Sequence, residues 1–499
     1  MFAVAHSATV VGVEALPVRV EAFVSSGLPS FTLVGLPGAA VQESRERVRA
    51  ALKQLGLPLP PSRIVVNLSP ADVRKEGPAF DLPIALALLA ADRRLPQQAL
   101  EGVLAFGELA LDGSLRPVRG AVSIALLAAQ RGAAALAPPD NAAEVALAPG
   151  VTAFAPASLA AAVAHLTGRA RLAAVPPPSG AAPAPAATDP GPDLADVRGQ
   201  AVAKRALEIA AAGRHNLLLT GPPGAGKTML ALRLPGIMPP LTPAEAIEVS
   251  RVRSSAGLPT HGLPRTPPLR QPHHSGSEAG IVGGGGPPRP GEVSLAHHGV
   301  LFLDELPEFR RPVLEALRQP LEEGYVTISR ARGSLRLPAR FQLVAAQNPC
   351  PCGEAFTGSD ACACPPQALA RYRRRLSGPL LDRIDLRLKV PRLSEEELVH
   401  APRGTPSRVV AARVASARQR MLERQGCANA YLAGQALARH ARPDRAGQAL
   451  LSELAARTRL SARGYDRLLR VARTVADLEG SPRVAEAHLA EAAGYREGW

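Results

Sequence analysis

Lysine, aromatic side chains and cysteine are all scarce in this chain, and each shortage narrows what it can be. Only 3% of the 499 residues are aromatic, with a single Trp, and there are five cysteines. So few thiols in so long a chain cannot staple a disulfide-dense secreted scaffold, so a reducing, cytoplasmic setting is expected. No uninterrupted apolar run reaches the roughly 18 residues a membrane span needs. The most apolar stretch, Ala79 to Ala91, is broken by Asp81 and Pro83. No basic segment precedes the first apolar residues and Glu14 comes early, so neither a secretory leader nor a membrane partner is expected.

What is present fits a folded, multidomain protein. Hydrophobic residues make up 46% of the chain, which excludes wholesale disorder. The length suggests about three domains of about 150 residues each. Lys and Arg number 58 against 43 acidic residues, for a net charge of +15. Almost all of that positive charge is arginine; the lysines are Lys53, Lys75, Lys204, Lys227 and Lys389. Such a balance favours polyanionic partners, chiefly nucleic acid. A generally basic surface, of the kind a GC-rich coding sequence produces, is the alternative.

The Pro/Ala/Gly-rich stretch Ala173 to Pro192 lacks periodicity and reads as a semi-extended linker. It sets off an N-terminal domain (1–170) across a linker (171–193) from everything that follows. In that domain Val18 to Val24, Arg63 to Leu68, Val103 to Leu109 and Ala134 to Ala137 read as strands. Pro37 to Leu55 reads as an amphipathic helix, and Asp81 to Ala91 as a buried one. From 194 to 395 short apolar strands, Asn216 to Thr220, Val300 to Leu303 and Phe341 to Ala346, alternate with helical segments. That pattern predicts an α/β unit with a parallel sheet covered on both faces. Beyond 396 only helical spacing appears, over Arg408 to Gln425, Ala446 to Thr458 and Ala462 to Leu478, so an all-helical C-terminal domain is expected.

The chemistry concentrates in the middle unit. Gly221, Pro222, Pro223, Gly224, Ala225, Gly226, Lys227 and Thr228 fit G-x-x-x-x-G-K-[ST], between a predicted strand and a predicted helix. Glycines let backbone N–H groups curl around phosphate oxygens, Lys227 adds a point charge at the β- and γ-phosphates, and the Thr228 hydroxyl suits Mg²⁺. The strand Val300 to Leu303 then ends in Asp304 and Glu305, a second Mg²⁺-side carboxylate and a candidate general base. ATP and Mg²⁺ are the cofactors this implies. Gln347 and Asn348 end another strand, where a polar side chain can orient the attacking water. Arg383, in SGPLLDRID, is a candidate finger for a neighbouring subunit's phosphate.

Other features are less decisive. Val326 to Leu337 reads as a hairpin, with Arg330 and Arg332 near its tip and Gly333-Ser334 as its turn. DNA gripping is one reading, a lid over a subunit interface the other. Gly276 to Gly291 is too rich in Gly and Pro for regular helix. His273, His274, His297 and His298 flank it, open to metal binding or to local hydrogen bonding. Cys350-x-Cys352 and Cys362-x-Cys364 offer four soft ligands suited to tetrahedral Zn²⁺, with reduced structural thiols as the alternative. Cys427 stands alone.

Residues 194–395 resemble the AAA+ ATPases of the magnesium-chelatase-like branch, and nearly the whole chain, the linker excepted, resembles the YifB/ComM subfamily. RQPHHSGSEAGIVGGGGPPRPGEVSLAHHGVLFLDELPEF, AAQNPCPCG, SGPLLDRID and SARGYDRLLRVARTVADL carry the likeness. The resemblance implies that Asn348 is the sensor-one residue and Arg383 the finger. It also implies that Arg463 is the sensor-two residue, with Arg467 and Arg470 nearby on the same helix. It further implies a homo-hexameric motor acting on single-stranded or branched DNA, with branch-migration or helicase activity in natural transformation. A chelatase-like or chaperone-type ATPase remodelling a protein partner is the alternative. The N-terminal domain resembles the Lon protease domain, an α+β fold. Ala79 stands where that family has its nucleophilic Ser and Val122 where it has its Lys, so peptide hydrolysis is not expected. Ser69 and Lys75 are the remaining candidates for that role.

Overall fold

The fold was obtained as a computed structural model, which describes residues 1–177, 191–260, 262–286, 288–330, 333–355, 362–458 and 461–496. Most of the expected linker, 178–190, lies outside the described residues, as does Arg332.

The N-terminal sheet has seven strands. Their order is Ser30–Val34, Arg63–Ser69, Glu14–Ser25, Phe2–Val11, Val103–Ala105, Ala134–Leu136 and Ala153–Phe154. Phe2–Val11 and Glu14–Ser25 form one long hairpin, closed through Gly12 at φ 67°. The helix Asp81–Ala91 is buried along its whole length, because a sequence without a polar face must be covered on all sides. Its Asp81 accepts from Ser44, Arg47 and the Leu109 N–H. The segment expected as one strand over Val103 to Leu109 is two. Gly107, at φ 154°, turns the chain, so that Glu108–Leu109 pairs with Leu115–Arg116 outside the main sheet.

The second sheet is parallel throughout, in the order Leu269–Arg270, Val300–Leu303, Gln342–Gln347, Leu217–Thr220, Leu386–Lys389. Its side chains alternate between two cores, as the pleat requires. Leu217, Leu219, Phe302, Val344 and Ala346 face the C-terminal helices. Leu218, Leu301, Leu303, Leu343 and Ala345 face the inserted segments. The helices Ser407–Gln425, Arg445–Thr458, Ala462–Leu478 and Glu486–Gly494 complete the C-terminal region. Asp477 ties them together, accepting from Arg424, Arg473 and Asn429.

Two features differ from expectation in the inserted segments. The hairpin pairs Tyr325–Arg330 with Gly333–Pro338, and Arg330 opposes Gly333. Gly333-Ser334 is therefore strand and not the turn, and Ala331 and Arg332 lie outside the described residues. The stretch Gly276 to Gly291, expected to be irregular, contains one helical turn, Glu278–Ile281, capped by the Ser277 hydroxyl.

Candidate nucleotide site

The strand Leu217–Thr220 delivers the chain to Gly221, whose N–H donates to the Gln347 carbonyl at 3.2 Å. A Cβ at Gly221 would lie 2.2 Å from the Val390 carbonyl oxygen, so no larger residue fits. Gly224 and Gly226 take φ of 79° and 86°, the left-handed region that favours glycine. These turns wrap the loop ahead of the helix Lys227–Leu232. Gln200 braces it from outside, donating to the Ala225 carbonyl at 3.3 Å and to that of Pro391 at 2.8 Å.

Lys227 and Thr228 point into a cluster drawn from three strands. The Lys227 ammonium donates to the Gly221 carbonyl at 2.6 Å, the Pro222 carbonyl at 2.9 Å and Asn348 Oδ1 at 3.1 Å. Burial pushes this ammonium below its ordinary pKa, and the charges of Asp304 and Glu305 oppose the shift. Thr228 donates its hydroxyl to Asp304 Oδ2 at 2.8 Å. A hydroxyl facing a carboxylate is the donor pair a hydrated Mg²⁺ takes beside nucleotide phosphates, so these residues fit the ion. Glu305 sits in the left-handed region at φ 51°, its N–H on Asp304 Oδ1 at 3.0 Å. This turn leaves its carboxylate 56% exposed, with His274 Nδ1 at 3.5 Å. His274 in turn meets the Phe309 ring edge-on. The contact of His274 with Glu305 escapes sequence reading because 31 residues separate them.

Of the pair Gln347 and Asn348, only Asn348 faces the loop. Gln347 is buried and donates to the Thr220 hydroxyl at 3.2 Å, a tie between strands. Neighbouring residues of a strand point to opposite faces, which separates the two.

Arg383 and Arg463 stand elsewhere. Arg383 precedes the strand Leu386–Lys389, and Leu386 is level with Leu217 at the amino end of the sheet. The glycine loop lies past Thr220, at the carboxyl end. Arg383 donates to the Pro379 carbonyl at 2.7 Å and pairs with Glu322. Arg463, 62% exposed, approaches the same carboxylate at 3.8 Å. Glu322 thus collects both arginines at one corner, away from the chain's own loop. Arg467 is held by Asp385 at 3.3 Å and Arg470 by the Leu432 carbonyl at 2.6 Å.

The four cysteines converge. Cys350 Sγ lies 3.2 Å from Cys352 Sγ and 3.8 Å from Cys362 Sγ, and all four sulfurs fall within 4.8 Å of one another. Thiolates about 2.3 Å from a tetrahedral Zn²⁺ stand about 3.8 Å apart, so the set fits that ion. The histidines are engaged locally. His297 and His298 both meet Glu248, at 2.9 and 2.8 Å, and His273 meets the Ser275 hydroxyl at 2.7 Å.

The protease-like positions carry no catalytic pair. Ala79 accepts from the Gly107 N–H, and Val122 is fully buried with its N–H 3.4 Å from the Ser254 hydroxyl. Lys75 is buried and donates to the Pro70 carbonyl, and Ser69 ends a strand opposite Arg19.

Comparison with known proteins agrees across the chain. Family models described as magnesium chelatase, subunit ChlI, match residues 193–398 and 20–141, and one for the ChlI C-terminal region matches 404–496. The chain is 45% identical over 496 residues to YifB of Salmonella typhimurium, covering 99% of this chain and 97% of that protein. It is 46% identical over 501 residues to the competence protein ComM of Haemophilus influenzae, covering 99% and 97%. YifB of Escherichia coli is 44% identical over 498 residues, covering 99% and 96%. No described helix is long and apolar enough to cross a membrane.

Proposed function

The chain belongs to the YifB/ComM family of magnesium-chelatase-like AAA+ ATPases, and from that premise we propose that it hydrolyses ATP to drive a homo-hexameric ring along single-stranded or branched DNA. One relative's name ties it to competence. Branch migration or helicase action on incoming strands during natural transformation, in the cytoplasm, is therefore the reading. A protease role is not part of it.

The single observation that carries the reading is the convergence of Lys227, Thr228, Asp304 and Asn348 beside the exposed Glu305. Each has work to do in phosphoryl transfer. The glycine loop and Lys227 bind the phosphates, Asn348 orients the attacking water, and Glu305 accepts its proton. Mg²⁺ at Thr228 and Asp304 supplies charge neutralisation when bound. Arg383 precedes the amino end of its strand, opposite the end that bears the glycine loop, which supports its serving a neighbour's pocket; Arg463 shares Glu322 with it. The Cys350, Cys352, Cys362 and Cys364 cluster takes Zn²⁺.

The test is ATP turnover with and without forked DNA, paired with branch migration of a labelled four-way junction. DNA stimulation that falls steeply with salt is expected, since arginine contacts to phosphate release counterions. Turnover indifferent to every DNA, and raised only by a protein partner, would move the assignment to a remodelling ATPase.

A further inference from the structure

We propose that the four-cysteine knuckle is a zinc-dependent brace on the nucleotide loop, so that metal occupancy sets nucleotide affinity. This rests on reading the cluster as a zinc site and residues 221–228 as the nucleotide loop.

The knuckle touches that loop directly at Gly353 and is linked to it through neighbouring residues elsewhere. Cys350, fully buried, follows Asn348 by two residues, and Asn348 is the acceptor for Lys227. Gly353, one residue past Cys352, lies flush on the loop: a Cβ there would stand 2.6 Å from Pro223 Cδ, and its φ is 89°. Its N–H closes the turn on the Cys350 carbonyl at 3.1 Å. Glu354 pairs with Arg392 at 2.7 Å, beside the Pro391 carbonyl that holds Gln200, which also holds Ala225 of the loop. On the far side of the second cysteine pair, Tyr372 donates to the Asn348 carbonyl at 3.2 Å.

Among its described residues the knuckle is only partly covered. Of its four cysteines only Cys350 is buried, and Cys352 is exposed. The ligands of such a loop take their places from the metal that joins them. With the ligands joined, Gly353 is pressed against Pro223 and Asn348 is held at Lys227. With them released, both supports loosen while the strand Gln342–Gln347 stays in its sheet.

The experiment uses the full chain carrying Cys427→Ser, so that the remaining thiols are those of the knuckle. Metal content is read by plasma mass spectrometry, and zinc is released stepwise with an organomercurial against a zinc-binding dye. Dissociation constants for a fluorescent ATP analogue are measured before and after. About one zinc per chain is expected, with nucleotide affinity falling about tenfold or more on release and recovering when zinc and thiol are returned. Gly353→Ala is the second arm. It should keep its zinc, because it alters no ligand, and still bind nucleotide about tenfold more weakly. Absence of zinc from protein that binds nucleotide normally would sink the metal reading. Zinc that leaves without moving affinity would refute the brace while leaving both underlying assignments intact. Gly353→Ala binding as the parent does would refute it equally.

Discussion

Arg383 yields the sharpest test of how copies of this chain cooperate. The register Leu217↔Leu386 through Thr220↔Lys389 sets Arg383 before the amino end of the sheet. The glycine loop begins beyond the carboxyl end. To reach its own nucleotide, this side chain would have to double back along the whole strand, through the buried Leu386 and Leu388 layer. On the proposed reading it serves a pocket on another copy, and a ring built head to tail supplies one at each interface. Arg383→Ala should therefore cut turnover by about 10³- to 10⁵-fold, the usual contribution of such an arginine, while leaving nucleotide binding intact. Glu305→Gln should be equally silent for a different reason. Mixed in equal amounts and allowed to assemble at random, the two dead variants should recover activity. A competent interface needs the pocket of an Arg383→Ala copy and the arginine of a Glu305→Gln copy, which occurs at about a quarter of interfaces. Turnover near a quarter of the parent's is then the ceiling for independent sites. Mixed rings, verified by differently tagged copies, that stay inactive would show that both residues belong to one pocket, and the placement of Arg383 would be wrong.

Lys227→Ala should lose nucleotide binding, whereas Glu305→Gln should keep it and lose about 10²- to 10⁴-fold in single-turnover hydrolysis, the range of a general base. Asp477→Ala leaves Arg424 and the buried Arg473 without their shared carboxylate, which should cost about 3–5 kcal/mol in a thermal or urea melt of the C-terminal helices. His298 is pushed down to about 4, first by burial and then by the charges of His297 and Arg214, against its bonds to Glu248 and Glu245. Its folded pKa lies below the unfolded one, so its contribution is full above pH about 6.5 and is lost toward pH about 4, about 3 kcal/mol at most. Glu248, held at about 2 by those histidines, weakens the fold in the same direction only below its ordinary value of 4.5. His298→Asn, which tolerates the φ of 57°, should flatten the melting curve's dependence on pH between about 6.5 and 4.5; an unchanged slope would remove His298 from the account.

The parts of the site that were legible in the sequence are those whose signal is local. A glycine loop between a buried strand and a helix, and an acidic pair closing another buried strand, each fit inside about ten residues. The buried helix Asp81–Ala91 declared itself by lacking any polar face. Less was visible where the deciding partner is distant. Phe2–Val11 went unread as a strand because His6, Ser7 and Thr9 interrupt its apolar alternation, although pairing with Glu14–Ser25 buries Ser7 and Thr9. The outer strands Leu269–Arg270 and Leu386–Lys389 are too short to show a period. Asn348 could not be told from Gln347, since only the sheet decides which neighbour faces the loop. Nothing near Arg383 or Arg463 announces Glu322, which the fold brings to both from a helix more than 60 residues before Arg383 in sequence.

The hairpin Tyr325–Pro338 ties the N-terminal domain to the middle unit. Val326, Ile328, Leu335 and Leu337 share one face of this ribbon by register. Leu337 and Leu335 close over Gly12 and Val13 at the tip of the long N-terminal hairpin, with Val252 completing the cluster. The helix Pro243–Ala256, which carries Val252, anchors there too and further along the domain: Arg251 pairs with Glu14 at the same hairpin at 2.7 Å, and Ser254 meets Glu144 at 2.7 Å and the Gly120 and Val122 N–H groups. The start of the helix Ala121–Gln130 is therefore covered by the helix Pro243–Ala256. The apolar side of the hairpin is consumed inside the molecule; on its other side Thr327 is held by Gln319, at 3.1 and 3.2 Å, while Ser329 and Arg336 are exposed. Arg336 stacks on the Tyr325 ring at 4.7 Å, a contact that holds the cation outward without neutralising it.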